Sequence, residues 1–459
     1  MKKTMRRITT TALGAACLVA TAGSAWAGPV INFGDDGYLQ IDVKFQGLLD
    51  YTDFGSGKNG DENRYDLDLR RARLVFTAMF NDTWGAKFQT CGGTSATRNF
   101  GGGGYELAKS NSKTNSQIRL VDGYLVGLLH DAFNIKIGMT KIPLTRANLD
   151  ECFSPLATER SSFIYSPYGT DATKNSRDMG FVASGNFLND HVKYWAAVME
   201  GREGSTKFEN PFNDKEFIST PEPNSNLEYV ARVHYSFLDP EGGPSAMGYK
   251  GSYLGRKGKI FTIGGAVAYE TDAAYKNTAP AGAMGTPGFL TSTADGDESV
   301  DYTAYTADVF LEYPFANGGV VTATALYLNA DFDDAYKTAR GIADLNTIVG
   351  GLVGQKDGYY VKAGYILPLT VFSKGKLQPF MRYENWNMAH LFGINDQEVK
   401  QYGVGINYYV MGNENVRFSF EYSKTDFDIP TLLGDYLSQT TQTKYDSYDT
   451  YTCMFMVAF

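Results

Sequence analysis

Three arginines stand close together in the stretch "LDLRRARLVFTAMF" (residues 67–80). The arginine side chain carries a planar fork of N–H donors that fits the oxygens of phosphate or carboxylate groups. Arg71 and Arg73 are two positions apart, so on a β-strand both would point to the same face. Arg70 interrupts this alternation, which predicts either a β-bulge or a place at the rim of a barrel. The chemistry that these residues can do is the binding of small oxyanions.

The rest of the sequence shows no pattern of catalytic or metal-binding residues. Its four histidines are scattered without metal-ligand spacing, at positions His130, His191, His234 and His390. No serine–histidine pair marks a hydrolase, and no Cys-x-x-Cys-His motif marks a covalent haem. The glycine run Gly101–Gly104 lacks the strand-to-helix context of a phosphate loop. The sequence therefore predicts a protein that is not an enzyme and that has no catalytic residues, no metal site and no cofactor.

Alternation of apolar and polar residues dominates the chain and predicts β-strands. In "GYLQIDVKFQG" (residues 37–47) every second residue is apolar, from Leu39 to Phe45, and the residues between them are polar. The composition agrees with this, since 31 Tyr, 29 Phe and 50 Gly are typical of strands and turns. After the first 27 residues no apolar run reaches the length of about 18 that a transmembrane helix needs. The chain is therefore predicted to be all-β.

The N-terminal 27 residues have the features of a secretory signal peptide. Four basic residues (Lys2, Lys3, Arg6 and Arg7) precede an apolar stretch, and Ala25-Trp26-Ala27 offers small residues where a signal peptidase needs them. We predict cleavage after Ala27, leaving one domain of residues 28–459. Loss of the four basic residues changes the formal net charge from -9 to -13.

The C-terminal stretch "YDTYTCMFMVAF" ends on Phe459 and places apolar residues on one face of a strand, as the last strand of a bacterial outer-membrane barrel does. Strands can cross a bilayer only as a closed barrel, because hydrocarbon leaves backbone polar groups unsatisfied. Sixteen strands can be placed, with short turns at Asn81-Asp82, His130-Asp131, Asn189-Asp190 and Asn317-Gly318. The predicted fold is a transmembrane antiparallel β-barrel of 16 strands in the bacterial outer membrane. Its long extracellular loops are predicted at 51–66, 91–117, 143–177, 202–226, 271–300, 331–357, 387–397 and 425–447. Residues 238–258 are long for a turn and fit this scheme least.

In such a barrel the apolar face of each strand meets lipid, since a charge facing lipid near the midplane costs about 2–4 kcal/mol. The opposite face then lines the channel. This rule assigns ten basic residues to the inner wall: Lys44, Arg71, Arg73, Lys87, Lys136, Lys193, Arg232, Lys362, Arg382 and Arg417. It assigns six acidic ones: Asp42, Glu228, Asp308, Glu312, Glu384 and Glu421. Two interpretations stay open for each charge, which either attracts anions or pairs with a neighbouring strand.

Three segments of the chain together resemble the phosphate-selective porin O and P family. They are "LDLRRARLVFTAMF" (67–80), "IKIGMTKIPLTRANLD" (135–150) and "SRDMGFVASGNF" (176–187), in that order. The resemblance implies a trimeric diffusion channel whose third extracellular loop, here 143–177, folds into the lumen. By motif position it implies anion-binding roles for Arg70 and Arg71, with Arg73 beside them, and for Lys141 at the loop entry. The loop offers one arginine, Arg146, beside two acids instead of a lysine cluster, which implies a channel without strict phosphate selectivity.

The function predicted is passive diffusion of small hydrophilic solutes, anionic or neutral, with a mild preference for anions such as phosphate. The predicted partners are outer-membrane lipid, these solutes and two further copies of the chain, and no nucleic acid. The alternative is a barrel that serves as a sheath or scaffold for a partner, for instance a redox protein. Cys91 and Cys152 fall in predicted extracellular loops, where an oxidised pair is one outcome and two thiols the other.

Overall fold

The computed structural model describes most of the chain after the predicted signal peptide. Its described residues are 28–56, 62–93, 118–150, 153–161, 163–164, 177–201, 207–209, 216–218, 226–241, 248–275, 299–333, 354–391, 394–432 and 444–459. The predicted signal peptide, residues 1–27, lies outside these ranges. The strands are β1 Val30–Phe33, β2 Gly37–Ser56, β3 Glu62–Met79, β4 Trp84–Cys91, β5 Arg119–His130, β6 Phe133–Lys141, β7 Arg177–Phe187, β8 Val192–Met199, β9 Lys207–Glu209, β10 Glu216–Ile218, β11 Glu228–Ser236, β12 Ile260–Tyr275, β13 Ser299–Pro314, β14 Val320–Asp331, β15 Lys356–Ile366, β16 Lys376–Leu391, β17 Ile394–Tyr409, β18 Val416–Leu432 and β19 Lys444–Ala458.

Sixteen of these strands form one closed antiparallel barrel, which confirms the predicted architecture. Consecutive strands pair along the series β2 to β8 and along the series β11 to β19, and β8 pairs with β11. The last strand closes the barrel on β2, where Phe455 stands opposite Gly47. Beyond the strand end, the backbone N–H of Phe459 donates to the carbonyl of Val43 at 2.9 Å. Closure leaves no unpaired sheet edge among these sixteen strands, as crossing a bilayer requires.

Helix is rare in the described ranges. Their one α-helix is the five-residue turn α1, Arg146–Asp150. No described helix is long and apolar enough to cross a membrane.

The two ends of the barrel differ in the length of their connections. At one end six connections run for two to nine residues, and the seventh, between β11 and β12, runs for 23 (237–259). The other end carries the longer connections. Two predicted loops are shorter than expected at this end. Strand β2 continues to Ser56 and β3 already begins at Glu62, and only two residues join β16 to β17. Strand pairing therefore continues into the polar sequence that suggested loops.

Side chains on the barrel strands divide into an outer apolar face and a buried inner face. Phe45 on β2 is 40% exposed, whereas its neighbour Gln46 is fully buried and faces inward. Exposed apolar residues recur on the outer face of other strands, among them Leu74, Phe88, Ile137, Phe181, Val233, Val267, Val309, Met381, Val404 and Phe420. The predicted orientation of "GYLQIDVKFQG" is therefore confirmed, with apolar residues outward and polar residues inward.

Part of the inner wall is apolar, which the sequence did not indicate. Buried aromatic and aliphatic residues from β8 and β11–β19 form one cluster with side chains that follow β6. For example, the rings of Phe163 and Trp386 lie with their centroids 5.7 Å apart. Fully burying a side chain of this size contributes about 1.5–3 kcal/mol. The segment after β6 thus contributes apolar residues to a buried cluster with the barrel strands, where the sequence had indicated polar inward-facing residues.

Candidate pore-lining site

A β-bulge in β3 brings two adjacent arginines to the same place. Gln46 stands opposite Arg71, whereas the next residue, Gly47, stands opposite Leu69. Arg70 is therefore the extra residue of a bulge, as its break in alternation predicted. Its Nε lies 3.0 Å from Oε1 of Glu159, and Arg71 donates from both Nη atoms to the same carboxylate at 2.8 and 3.0 Å.

The Glu159 carboxylate is held ionised by these two arginines. Burial alone would raise its pKa, but the guanidinium groups of Arg71 and Arg70 hold that pKa well below its usual range. Arg71 also donates to Oε1 of Gln46 at 2.7 Å. The arginine pair is therefore partly occupied by the chain's own acid, and an incoming anion has to compete with Glu159.

Four basic residues on adjacent strands form a surface that we call the basic wall: Lys44, Arg71, Arg73 and Arg417. The register places Arg417 opposite Met456, Met456 opposite Gln46, and Gln46 opposite Arg71, across β18, β19, β2 and β3. Lys44 stands directly opposite Arg73. The pairing of neighbouring strands thus brings together four of the predicted site residues.

The segment after β6 also contacts other residues of the basic wall, and Nζ of Lys44 lies 5.6 Å from the ring centroid of Phe153. The guanidinium of Arg73 lies 4.9 Å from the ring centroid of Phe153. Nη1 of Arg417 donates to the carbonyl of Pro155 at 2.6 Å. Among the residues that the structure describes, no carboxylate lies within ion-pair distance of Arg73 or Arg417. In the described part of the chain neither guanidinium group therefore has a carboxylate partner.

The remaining predicted site residues lie elsewhere in the barrel and contact the chain itself. Arg382 pairs with Glu421 at 2.7 Å and approaches Glu384 at 3.8 Å. Lys141 donates to the carbonyl of Leu149. Arg146 forms a two-pronged pair with Glu241, at 2.6 and 2.7 Å. For Arg382 and Arg146 these contacts favour structural pairing over a role in attracting anions.

Solvent reaches the inner wall mainly in one sector, formed by β2–β6 toward the short-turn end. We call this the accessible sector, and its partly exposed inward-facing side chains include Gln40, Asp42, Lys44, Thr77, Lys87, Tyr124 and Lys136. On β7, β8 and β11–β19 the described inward-facing side chains are buried, apart from those at strand ends. The charged members of the accessible sector are three lysines and one aspartate, so the surface that water touches is positive.

Two of the three lysines of this sector, Lys87 and Lys136, lie on either side of Tyr124. Lys87 lies opposite Thr77 on one side and opposite Tyr124 on the other. Nζ of Lys136 lies 5.2 Å from the ring centroid of Tyr124. Sequence alternation placed Lys87 and Lys136 on the inner wall, but nothing in the sequence distinguished accessible from buried positions. These two lysines are the pore residues that sequence reasoning undervalued.

Deeper in the wall the charges are nearly balanced. The buried basic residues of the described barrel strands are Arg71, Arg73, Arg177, Lys193, Arg232, Lys356, Lys362, Arg382 and Arg417. The buried acidic ones are Asp50, Asp68, Asp122, Asp178, Glu228, Glu270, Asp308, Glu312, Glu384 and Glu421. The positive excess expected from sequence is therefore absent from the buried wall. The sequence did not predict that Asp122 faces inward, because a bulge in β5 shifts the alternation beside it. Asp122 pairs with Arg177 at 2.6 Å.

No group of three or more His, Cys, Asp or Glu side chains in the described ranges could hold a metal ion. Cys91 has a free thiol among the described residues, whereas Cys152 lies outside them. The pairing of these two cysteines therefore stays a prediction.

Comparison with known proteins assigns this barrel to a class of channels. Residues 41–432 match the model of the family described as phosphate-selective porin O and P. The chain belongs to this family and is an outer-membrane β-barrel porin, a channel and not an enzyme. A relative described as an uncharacterized protein of Aquifex aeolicus (strain VF5) is 22% identical over 392 residues, which are 82% of this chain and 80% of the relative.

Solved porin structures resemble the chain only distantly. The trimer form of OmpT from Vibrio cholerae has a TM-score of 0.48 at 12% identity, over 93% of this chain and 100% of that one. The anion-selective porin from Comamonas acidovorans gives 0.48 at 10%, over 92% and 100%. The outer-membrane channel DcaP of Acinetobacter baumannii gives 0.48 at 13%, over 94% and 100%. Likenesses at this level carry no argument about the pore of this chain.

Proposed function

We propose that this porin is a passive diffusion channel for small hydrophilic solutes, with a mild preference for anions such as phosphate. The observation that carries the preference is the accessible sector, where Lys44, Lys87 and Lys136 face water against one acid, Asp42. A concentration of positive charge on a low-dielectric wall attracts anions and repels cations. Because the buried wall is nearly balanced, the expected preference is mild.

We also propose that the segment after β6 folds into the lumen and narrows it. Its described residues, 142–150, 153–161 and 163–164, are called the β6–β7 segment. Contacts to well-separated strands support the proposal. They join Leu144 O to Thr306 on β13 at 2.8 Å, Leu156 O to Asn407 on β17 at 2.8 Å, Thr158 N to Glu421 on β18 at 2.9 Å, Ser161 to Glu384 on β16, and Glu159 to the arginines of β3. Contacts to five strands from one segment support a path through the interior of the barrel.

The anion preference is tested by the reversal potential of the purified protein in a planar bilayer under a KCl gradient. The accessible lysines predict a reversal potential on the anion-selective side. A cation-selective sign would contradict the proposal, whatever the conductance.

Phosphate binding at the arginine pair makes a separate prediction. Chloride current should be blocked weakly by phosphate in the wild type, because Glu159 competes for Arg71. Glu159→Gln should increase the phosphate affinity about tenfold, since charge-assisted bonds to a freed arginine contribute about 1.5–3 kcal/mol. Arg71→Ala should abolish the block.

Glu398→Gln is the matched control for this series, because Glu398 pairs with Lys400 away from the arginines. It should leave phosphate block as in the wild type. Equal block in Glu159→Gln and in Arg71→Ala would show that phosphate does not bind at this pair.

The homotrimer implied by the family resemblance is likewise proposed, and chemical cross-linking in outer-membrane vesicles tests it. The sheath interpretation is not favoured, because a β6–β7 segment folded into the lumen, as proposed here, leaves less room for a partner protein. Cleavage after Ala27 predicts that the mature protein begins at Gly28, which N-terminal sequencing measures.

A further inference from the structure

The connection between β11 and β12 reaches far across the short-turn end of the barrel. Residues 248–258 of this connection are called the strap. Lys250 forms an ion pair with Glu414, and Nη2 of Arg256 donates to the carbonyl of Gly412 at 2.8 Å. Both partners lie in the turn that joins β17 and β18, and four strands, β13–β16, stand between β12 and β17. The strap therefore spans part of the barrel mouth.

A buried carboxylate on β13 holds the middle of the strap. Glu312 accepts hydrogen bonds from the backbone N–H of Tyr253 at 2.9 Å and of Gly255 at 2.8 Å. The hydroxyl of Ser252 donates to the same carboxylate at 2.9 Å. Three donors within four residues fix the backbone of the strap against the inner wall. The middle of the strap is thus a folded element whose backbone donors are bonded to a buried carboxylate.

The strap also packs directly against the β6–β7 segment. The backbone N–H of Gly251 donates to the carbonyl of Ser154 at 3.0 Å. A Cβ atom at Gly251 would lie 2.2 Å from that carbonyl oxygen, so no larger residue fits without moving one of the two backbones. Nη2 of Arg146 reaches the carbonyl of Lys250 at 3.3 Å while its guanidinium pairs with Glu241, ahead of the strap. The two segments form one connected layer inside the barrel.

We propose that the strap is a second barrier in the pore, at its periplasmic mouth, and that it holds the β6–β7 segment in place. In barrels of this kind the short turns face the periplasm. Solutes then leave along the accessible sector of β2–β6, because the strap contacts described above lie on β13 and on the turn between β17 and β18. The proposal requires only that the barrel is a channel and is independent of its anion preference.

A strap-less variant tests the proposal. The strand ladder continues past β11 and β12, with bonds from Phe237 N to Phe261 O at 2.7 Å and from Asp239 N to Lys259 O at 2.8 Å. Replacing residues 240–258 by Asn-Gly therefore closes the hairpin with a two-residue turn that matches strand twist. Single-channel conductance in a planar bilayer should rise about twofold or more, because a narrowed section of the pore is removed. Wild-type conductance in a folded strap-less barrel would overturn the proposal.

Folding of the strap-less variant is checked by its heat-dependent mobility on a gel and by its β-sheet circular dichroism. If that variant fails to fold, the point variant Gly251→Ala tests whether the strap limits conductance. Its methyl group forces the strap and the β6–β7 segment apart, so open-channel conductance or current fluctuation should increase.

Gly47→Ala is the matched control for the point variant, because a Cβ there meets no atom closer than 3.5 Å. This control should conduct as the wild type does. Equal currents from Gly251→Ala, Gly47→Ala and wild type would show that the strap does not limit the pore.

Discussion

Replacing Lys44, Lys87 and Lys136 together by glutamine is expected to move the reversal potential under a KCl gradient to the cation-selective side. These lysines carry the positive charge on the part of the inner wall that water reaches. Asp42, which accepts a hydrogen bond from Nε2 of Gln40 at 2.8 Å, would be left as the charged residue of the accessible sector. The sign of the local charge therefore reverses, whereas the buried wall stays nearly balanced.

A second triple variant separates local charge from total charge. Lys257, Lys374 and Lys444 are exposed outside the accessible sector, and their replacement by glutamine removes the same net charge. This control should leave the reversal potential unchanged. The difference between the two triples should shrink in high salt, since the screening length falls from about 10 Å at 0.1 M to about 3 Å at 1 M. Equal shifts in both triples would mean that total charge governs selectivity and that the accessible sector does not.

The sequence predicted the barrel because its evidence was local. Alternation, the positions of short turns and the absence of long apolar runs together require sixteen strands that face lipid with one side. The bulge at Arg70 was also predictable, because two adjacent charges on one strand cannot both face inward. Each of these inferences depends on covalent neighbours, which a sequence displays directly.

The interior was harder to predict, because its contacts join residues far apart in the chain. Glu159 lies 88 positions from Arg71, and nothing in a loop that looked polar marks it as the partner. The apolar residues Phe163 and Ile164 gave no periodic signal, yet they belong to a buried cluster with residues of the barrel strands. The strap appeared only as a turn of unusual length. Such long-range contacts decide whether an inward-facing charged side chain is accessible to water or paired. Alternation along a strand therefore could not predict which of the two holds.

The buried pair of Arg146 and Glu241 makes the prediction with the largest effect on stability. Their side chains are about 4% and 1% exposed, and the hydroxyl of Tyr253 donates to Glu241 at 2.7 Å. Glu241→Ala leaves the Arg146 guanidinium buried without its partner, which typically costs 3–5 kcal/mol, so we expect a loss of about 4 kcal/mol in the free energy of unfolding. Urea unfolding of the folded barrel in lipid vesicles, followed by tryptophan fluorescence, measures it.

Two further variants distinguish the pair from general damage to the interior. The double variant Arg146→Met/Glu241→Met removes both charges and should cost far less than Glu241→Ala, because no unpaired charge remains. Glu398→Ala breaks the exposed pair with Lys400 and should change stability by less than about 1 kcal/mol. A double variant as unstable as the single one would show that packing at this site, and not the ion pair, stabilises the barrel.

The same pair sets how the barrel responds to acid. Burial would raise the pKa of Glu241, but Arg146 lowers it to about 2, and Glu241 lies outside the membrane-spanning strands. A carboxyl group with a depressed folded-state pKa stabilises the fold fully above its usual pKa and loses that contribution as the pH falls through the folded value. In the wild type the contribution of this pair to the free energy of unfolding should therefore fall progressively below about pH 4.5 and be lost near pH 2. The double variant Arg146→Met/Glu241→Met should lack this pH-dependent contribution. Unfolding curves between pH 2 and pH 5 compare the two proteins, and identical pH profiles would contradict an ionised, stabilising Glu241 at the junction of the strap and the β6–β7 segment.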